Sequence, residues 1–112
     1  LPVAAVKGVG STFALPTEDA VSQSIGDGFA VTGSGADLAG ALDFAKMTGY
    51  PISTVSYAIA CTKYKDAAKG ALVKSYLNYA VTKGQDAADS LGFAPLPSDL
   101  VAKDVASISA IS

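Results

Sequence analysis

No arginine, no histidine and no tryptophan occurs in this 112-residue chain. Each absence excludes some chemistry. Without histidine, the usual neutral-pH proton shuttle and the commonest metal ligand are missing. Without arginine there is no planar fork to grip a phosphate or carboxylate through two parallel hydrogen bonds. Charge is scarce as well: 16% of residues, ten acids against eight lysines, for a formal charge of −2. The lysines are spread from Lys7 to Lys103 among acids. No basic stripe tracks a nucleic-acid backbone, so nucleic acid is excluded as a partner.

Cysteine is nearly absent too. Cys61 stands alone, so no internal disulfide forms. It ends an apolar run, ISTVSYAIAC, and is expected to be a buried thiol. Lys63 and Lys65 lie close in sequence, but no histidine or second cysteine completes a nucleophilic set. No apolar run approaches the roughly 20 residues of a membrane span. The chain opens on Leu1 rather than methionine, which fits either a removed leader or a piece of a longer protein.

What is present is apolar material: half of all residues, enough for a core. The pattern predicts short strands at 3–7 and 11–15, broken by Gly8 and Gly10. Pro16 stops the second. Thr17 is then placed to cap a helix over 18–25, with Glu18 and Asp19 in its first turn. FAVT (29–32) reads as a strand and GSG (33–35) as a loop. Residues 36–47 have helical composition, with Leu38, Leu42 and Ala45 along one face. Residues 52–61 read as a strand with Val55, Tyr57, Ile59 and Cys61 on one side. Residues 66–83 read as the longest helix. Its expected apolar arc is Leu72, Val73, Tyr76, Leu77 and Ala80, with Lys74, Asn78 and Thr82 opposite. A short helix follows as far as Gly92. FAPLP (93–97) must be extended, and Ser98 is expected to cap a last helix over 99–111. Strands alternating with helices give an α/β class.

The order of several motifs is specific. AAVKG precedes PTEDAV; then come Tyr50-Pro51-Ile52, Gly84-Gln85, Leu91-Gly92-Phe93 and Pro95-Leu96-Pro97. This order resembles the C-terminal part of the PstS family of phosphate-binding proteins, which serve an ABC-type phosphate permease. The resemblance runs over nearly the whole chain and is thinnest between residues 26 and 48. It implies an α/β chain with a partial type II periplasmic-binding-protein fold. Residues 1–48 would be the end of the second lobe. Residues 49–112 would be the crossover strand and helices completing the first.

The same resemblance implies delivery of inorganic phosphate to an ABC transporter, in a periplasmic, cell-surface or secreted setting. It implies no catalysis, no cofactor and no metal. Expected partners are phosphate through the parent protein, the ABC permease, and either the remainder of the binding protein or a strand-exchanged copy of this chain.

Gly10, Ser11, Thr12 and Phe13 are the candidate phosphate contacts. With Gly8 they match the family's Gly-x-Gly-Ser/Ala-Thr-Phe loop. Their flanks, Ala4-Ala5-Val6-Lys7 and Pro16-Thr17-Glu18-Asp19, instead match a later family segment, a β-turn-β lead into a short helix. The loop and turn readings both stand at this point, and the flanks favour the turn. Gly33-Ser34-Gly35, before the predicted helix at 36–47, is a second anion candidate through free helix N–H groups. The family's other phosphate contacts have no match in this sequence. The chain is therefore expected to be mainly scaffold, binding phosphate weakly or not at all alone. Two other classes are the alternatives: a free-standing interaction module on the same scaffold, and an enzyme using acids such as Asp27, Asp37 and Asp43.

Overall fold

The computed structural model describes residues 2–112. Two short strands, β1 (Val6–Lys7) and β2 (Phe13–Ala14), pair antiparallel as a hairpin, Val6 opposite Ala14 and Lys7 opposite Phe13. Helix α1 (Glu18–Gly28) begins where Thr17 predicts: its hydroxyl accepts the Ala20 N–H at 3.3 Å. The helix runs straight into β3 (Phe29–Val31), which pairs antiparallel with β4 (Gly40–Leu42).

That second hairpin corrects the helix expected at 36–47. Glycines at 33, 35 and 40 remove helix propensity. Asp37 turns the chain instead, its carboxylate accepting the Ala39 N–H at 2.9 Å. The edge of β3 supplies the partner that converts this apolar stretch into a strand.

Helix α2 (Ala67–Val81) is capped by Asp66, whose carboxylate accepts the N–H groups of Ala68 and Lys69. Two 3-10 turns, Lys83–Ala87 and Asp89–Leu91, replace the short helix expected before Gly92. Helix α3 (Ser98–Ser109) packs on α2. Its cap position is Pro97, so Ser98 is the first helical residue and makes no capping bond. The described strands form two separate two-stranded antiparallel sheets, a small mixed α/β arrangement.

One small core joins these parts. Ile25 of α1, Met47 and Leu100 of α3 are buried together, with Phe29, Leu42 and Val55 packed on them. Each fully buried side chain of this size contributes about 1.5–3 kcal/mol. Gly49 lets the chain pass against α1: a Cβ there would lie 2.0 Å from the Ala20 carbonyl oxygen. The Tyr50 N–H bonds to that same oxygen at 3.0 Å. Gln85 ties the end of α2 to the extended stretch after it. Its amide donates to the Ala80 carbonyl at 2.7 Å and accepts the Leu96 N–H at 2.9 Å.

Three side chains of α2 contradict the expected faces. Lys74, expected on the outer stripe of α2, instead donates from its ammonium to the Ser109 and Ile111 carbonyls at 2.7 and 3.1 Å. It neutralises the negative end of α3. Leu72 and Tyr76, expected in the covered arc, are 70% and 68% exposed, and Gly70 is the one buried residue of α2.

The strand expected at 52–61 is extended but has no neighbour. Among the described residues, no backbone hydrogen bond reaches residues 52–60. Cys61 is exposed for the same reason, because no sheet forms there to cover it. The molecule is correspondingly open. Its radius of gyration is 15.8 Å, where a compact domain of this length has about 13 Å. Its surface is 7387 Å², where its mass predicts about 5,700 Å².

Candidate functional site

The Gly8–Thr12 stretch is the turn of the β1–β2 hairpin. Gly10 has φ of +111°, a left-handed conformation that favours glycine. Gly8 lies against the Met47 and Gly49 carbonyls, and the Val9 N–H donates to the Met47 carbonyl at 3.3 Å. The hairpin is thus docked on the segment after β4 by its base. Its tip faces outward: Ser11, Thr12 and Phe13 are exposed, Phe13 by 69%. Among the described residues, neither the Ser11 nor the Thr12 hydroxyl has a hydrogen-bond partner. The cross-strand neighbour of Phe13 is Lys7, so a cation sits one strand away. The four candidate residues are together in space, but on a surface rather than in a cleft. A desolvated phosphate dianion needs a dense set of donors, and an exposed tip leaves it in water.

Gly33-Ser34-Gly35 loses its rationale as an anion site. It precedes β4, not a helix, so no helix dipole points at it. Asp37 folds back over Gly33, placing a carboxylate in the same loop.

The helix N-termini are also occupied by the chain's own oxygens. Thr17 fills the start of α1, and Glu18 and Asp19 stand in its first turn. A hydrogen bond with the Asp89 carboxyl raises the Glu18 pKa, helped by exclusion of water and by repulsion from Asp89 and Asp19. Asp66 fills the start of α2, and Asp99 stands in the first turn of α3. Each carboxylate repels the anion a bare helix start would attract.

The acids weighed for catalysis have local structural partners. Asp27 accepts the Thr48 hydroxyl, Asp37 closes its turn, and Asp43 accepts the Ala45 N–H while pairing with Lys46 at 3.2 Å. Among the described residues no group of three or more histidines, cysteines or acids is placed to hold a metal ion. No helix there is long and apolar enough to cross a membrane.

Comparison with curated proteins gives a consistent set of relatives. Phosphate-binding protein PstS 3 of Mycobacterium tuberculosis is 33% identical over 100 residues, covering 86% of this chain and 27% of that protein. The chain is PstS-like. Phosphate-binding protein PstS 3 of Mycobacterium leprae is 35% identical to the PstS-like chain over 83 residues, 70% of the chain and 22% of that protein. Phosphate-binding protein PstS2 of Mycobacterium bovis BCG is 41% identical over 63 residues, 56% of the chain and 17% of that protein. The chain therefore spans between 17% and 27% of the length of these relatives. No protein-family model matches it. No solved structure matches it.

Sequence reasoning missed two residues that hold the surroundings of the hairpin in place. Gly49 is one; its only signal was the Gly-Tyr-Pro break. Tyr57 is the other: its hydroxyl accepts the Gly40 N–H at 3.2 Å and its ring lies 6.5 Å from that of Phe29. Its place in the alternating run 52–61 gave the side it faces, and nothing in the sequence gave the partner.

Proposed function

We propose that this chain takes part in phosphate capture for uptake, as the scaffold portion of a phosphate-binding protein that delivers its ligand to an ABC permease. The observation that carries the reading is the 33% identity across 86% of the chain to a protein named for phosphate binding. The role assigned to the chain is non-catalytic, in a periplasmic, cell-surface or secreted setting. Residues 1–48 are assigned to the end of one lobe and residues 49–112 to the completion of the other.

The scaffold part of the reading rests on chemistry. The sequence has no arginine, every helix start carries a carboxylate, and the candidate tip is exposed. The donors that desolvate and grip the phosphate then come from polypeptide outside these 112 residues. Gly10, Ser11, Thr12 and Phe13 are the one place where this chain would add a contact of its own.

Titration calorimetry with inorganic phosphate tests the scaffold role. The expected result is no saturable heat at millimolar phosphate. A micromolar dissociation constant for the chain alone would overturn it.

A further inference from the structure

Residues 53–61 run on without a turn, although among the described residues no backbone hydrogen bond reaches residues 52–60. Unsupported backbone of this kind gains entropy by bending. The support lies at its two ends, and both ends are tied.

The near end is tied to the second hairpin. Val55 packs on the core. The Tyr57 hydroxyl accepts the Gly40 N–H at 3.2 Å and donates to the Gly40 carbonyl at 3.4 Å.

The far end is tied to the end of α3. Ser112 spends both backbone groups on the 62–64 turn. Its N–H donates to the Thr62 carbonyl at 2.9 Å, and its carbonyl accepts the Tyr64 N–H at 2.8 Å. That is the exchange made by parallel strands, with Lys63 opposite Ser112. The Tyr64 hydroxyl then accepts the Cys61 N–H at 3.2 Å.

Ser112 is in turn seated on α2. A Cβ at Gly70 would lie 3.0 Å from the Ser112 carbonyl carbon, so a glycine there admits the close approach. One turn later, on the same face, the Lys74 ammonium holds the Ser109 and Ile111 carbonyls. Carbonyls at a helix end have no partner within the helix, and a charged donor satisfies them more strongly than a neutral one. Ile108 and Ile111 are buried at the same end of α3.

We propose that Gly70 and Lys74 form a seat on α2 for the end of α3, and that this seat and the Tyr57–Gly40 contact are the two posts holding residues 58–60 straight between them. Lys74 is a positioning residue in this arrangement. It touches no part of the segment, and acts on it through Ile111, Ser112 and Thr62. The seat belongs to this chain alone. The use of the straightened segment rests on the lobe assignment above, in which it is the crossover strand: backbone already extended loses less freedom when a neighbour pairs with it.

NMR of the 112-residue chain, without phosphate, tests the two posts separately from the phosphate reading. Amide exchange reports the seat, and the three-bond HN–Hα couplings of Ala58, Ile59 and Ala60 report the segment. The parent chain should show the couplings of extended backbone. Lys74→Met keeps the carbon stem and removes the charge. It should speed exchange at Tyr64 and Ser112 about tenfold and bring the three couplings to the averaged values of a free chain. Exchange at Tyr50 and Leu96, whose bonds lie outside the seat, should keep the parent rates. Lys74→Arg should restore the parent behaviour. Tyr57→Phe removes the other post, so it should average the couplings while Tyr64 and Ser112 stay protected.

Four results would overturn the proposal. The first is averaged couplings in the parent chain. The second is unchanged exchange at Tyr64 and Ser112 in Lys74→Met. The third is an equal acceleration at Tyr50 and Leu96, which would make Lys74 a contributor to global stability only. The fourth is Lys74→Arg exchanging as fast as Lys74→Met.

Discussion

Gly49 shows how a single residue sets the fold here. The chain crosses α1 at van der Waals contact, and a methyl group at position 49 would overlap backbone, which cannot swing away. Gly49→Ala is expected to destabilise by about 1–3 kcal/mol, the usual range for overpacking a close contact. Urea denaturation of the two proteins measures it. Asp104 gives a second test at this scale. Partial burial in α3 raises its pKa above the ordinary carboxylate range. A raised folded-state pKa gives stability that is full below the unfolded value and lost as pH rises through the folded one. Asp104→Asn removes that dependence. The variant should gain on the parent chain between acidic and neutral pH, with the gain beginning just above the ordinary aspartate range. Denaturation midpoints at several pH values in that window measure the difference.

At the scale of elements, Gln85 links two of the motifs that made the sequence specific. It joins α2 to the stretch that carries Pro95-Leu96-Pro97, through two hydrogen bonds in partly buried surroundings. Gln85→Ala is expected to cost about 1–3 kcal/mol, since both backbone partners lose their bonds. Hydrogen exchange at the Leu96 amide should rise in the variant, and an unchanged rate would contradict the account.

The same scale shows what could be read in advance. The start of α1 was legible because its cap and first-turn charges are local, whereas the capping role of Asp66 at α2 came only from the structure. The β1–β2 turn was legible from its flanks. The stretch 36–47 was misread because its leucines have helical spacing, while glycines and a neighbouring strand decide the outcome. The extended geometry of 52–61 was legible from alternation. Its lack of a pairing partner was not, because pairing depends on which other strand is near. The outward face of the Gly10–Phe13 tip was equally invisible, since exposure is set by how the hairpin docks on Met47. Lys74 is the counterpart among charges: a stem of four carbons let it cross α2 and reach the end of α3.

For the whole molecule, the governing fact is thin coverage. Three fully packed side chains join the hairpins to α3, and α2 leaves most of its apolar length exposed. A helix apolar around most of its circumference is ordinarily covered on more than one side. The relatives bring several times more polypeptide than these 112 residues. The openness, the acids at the helix starts and the lack of arginine are the features on which the proposed scaffold role rests. Amide NMR of the chain with and without inorganic phosphate, at constant ionic strength, tests that division of labour most directly. The account predicts that the Gly10, Ser11, Thr12 and Phe13 resonances stay where they are at millimolar phosphate. Saturable shifts at those four amides would contradict it.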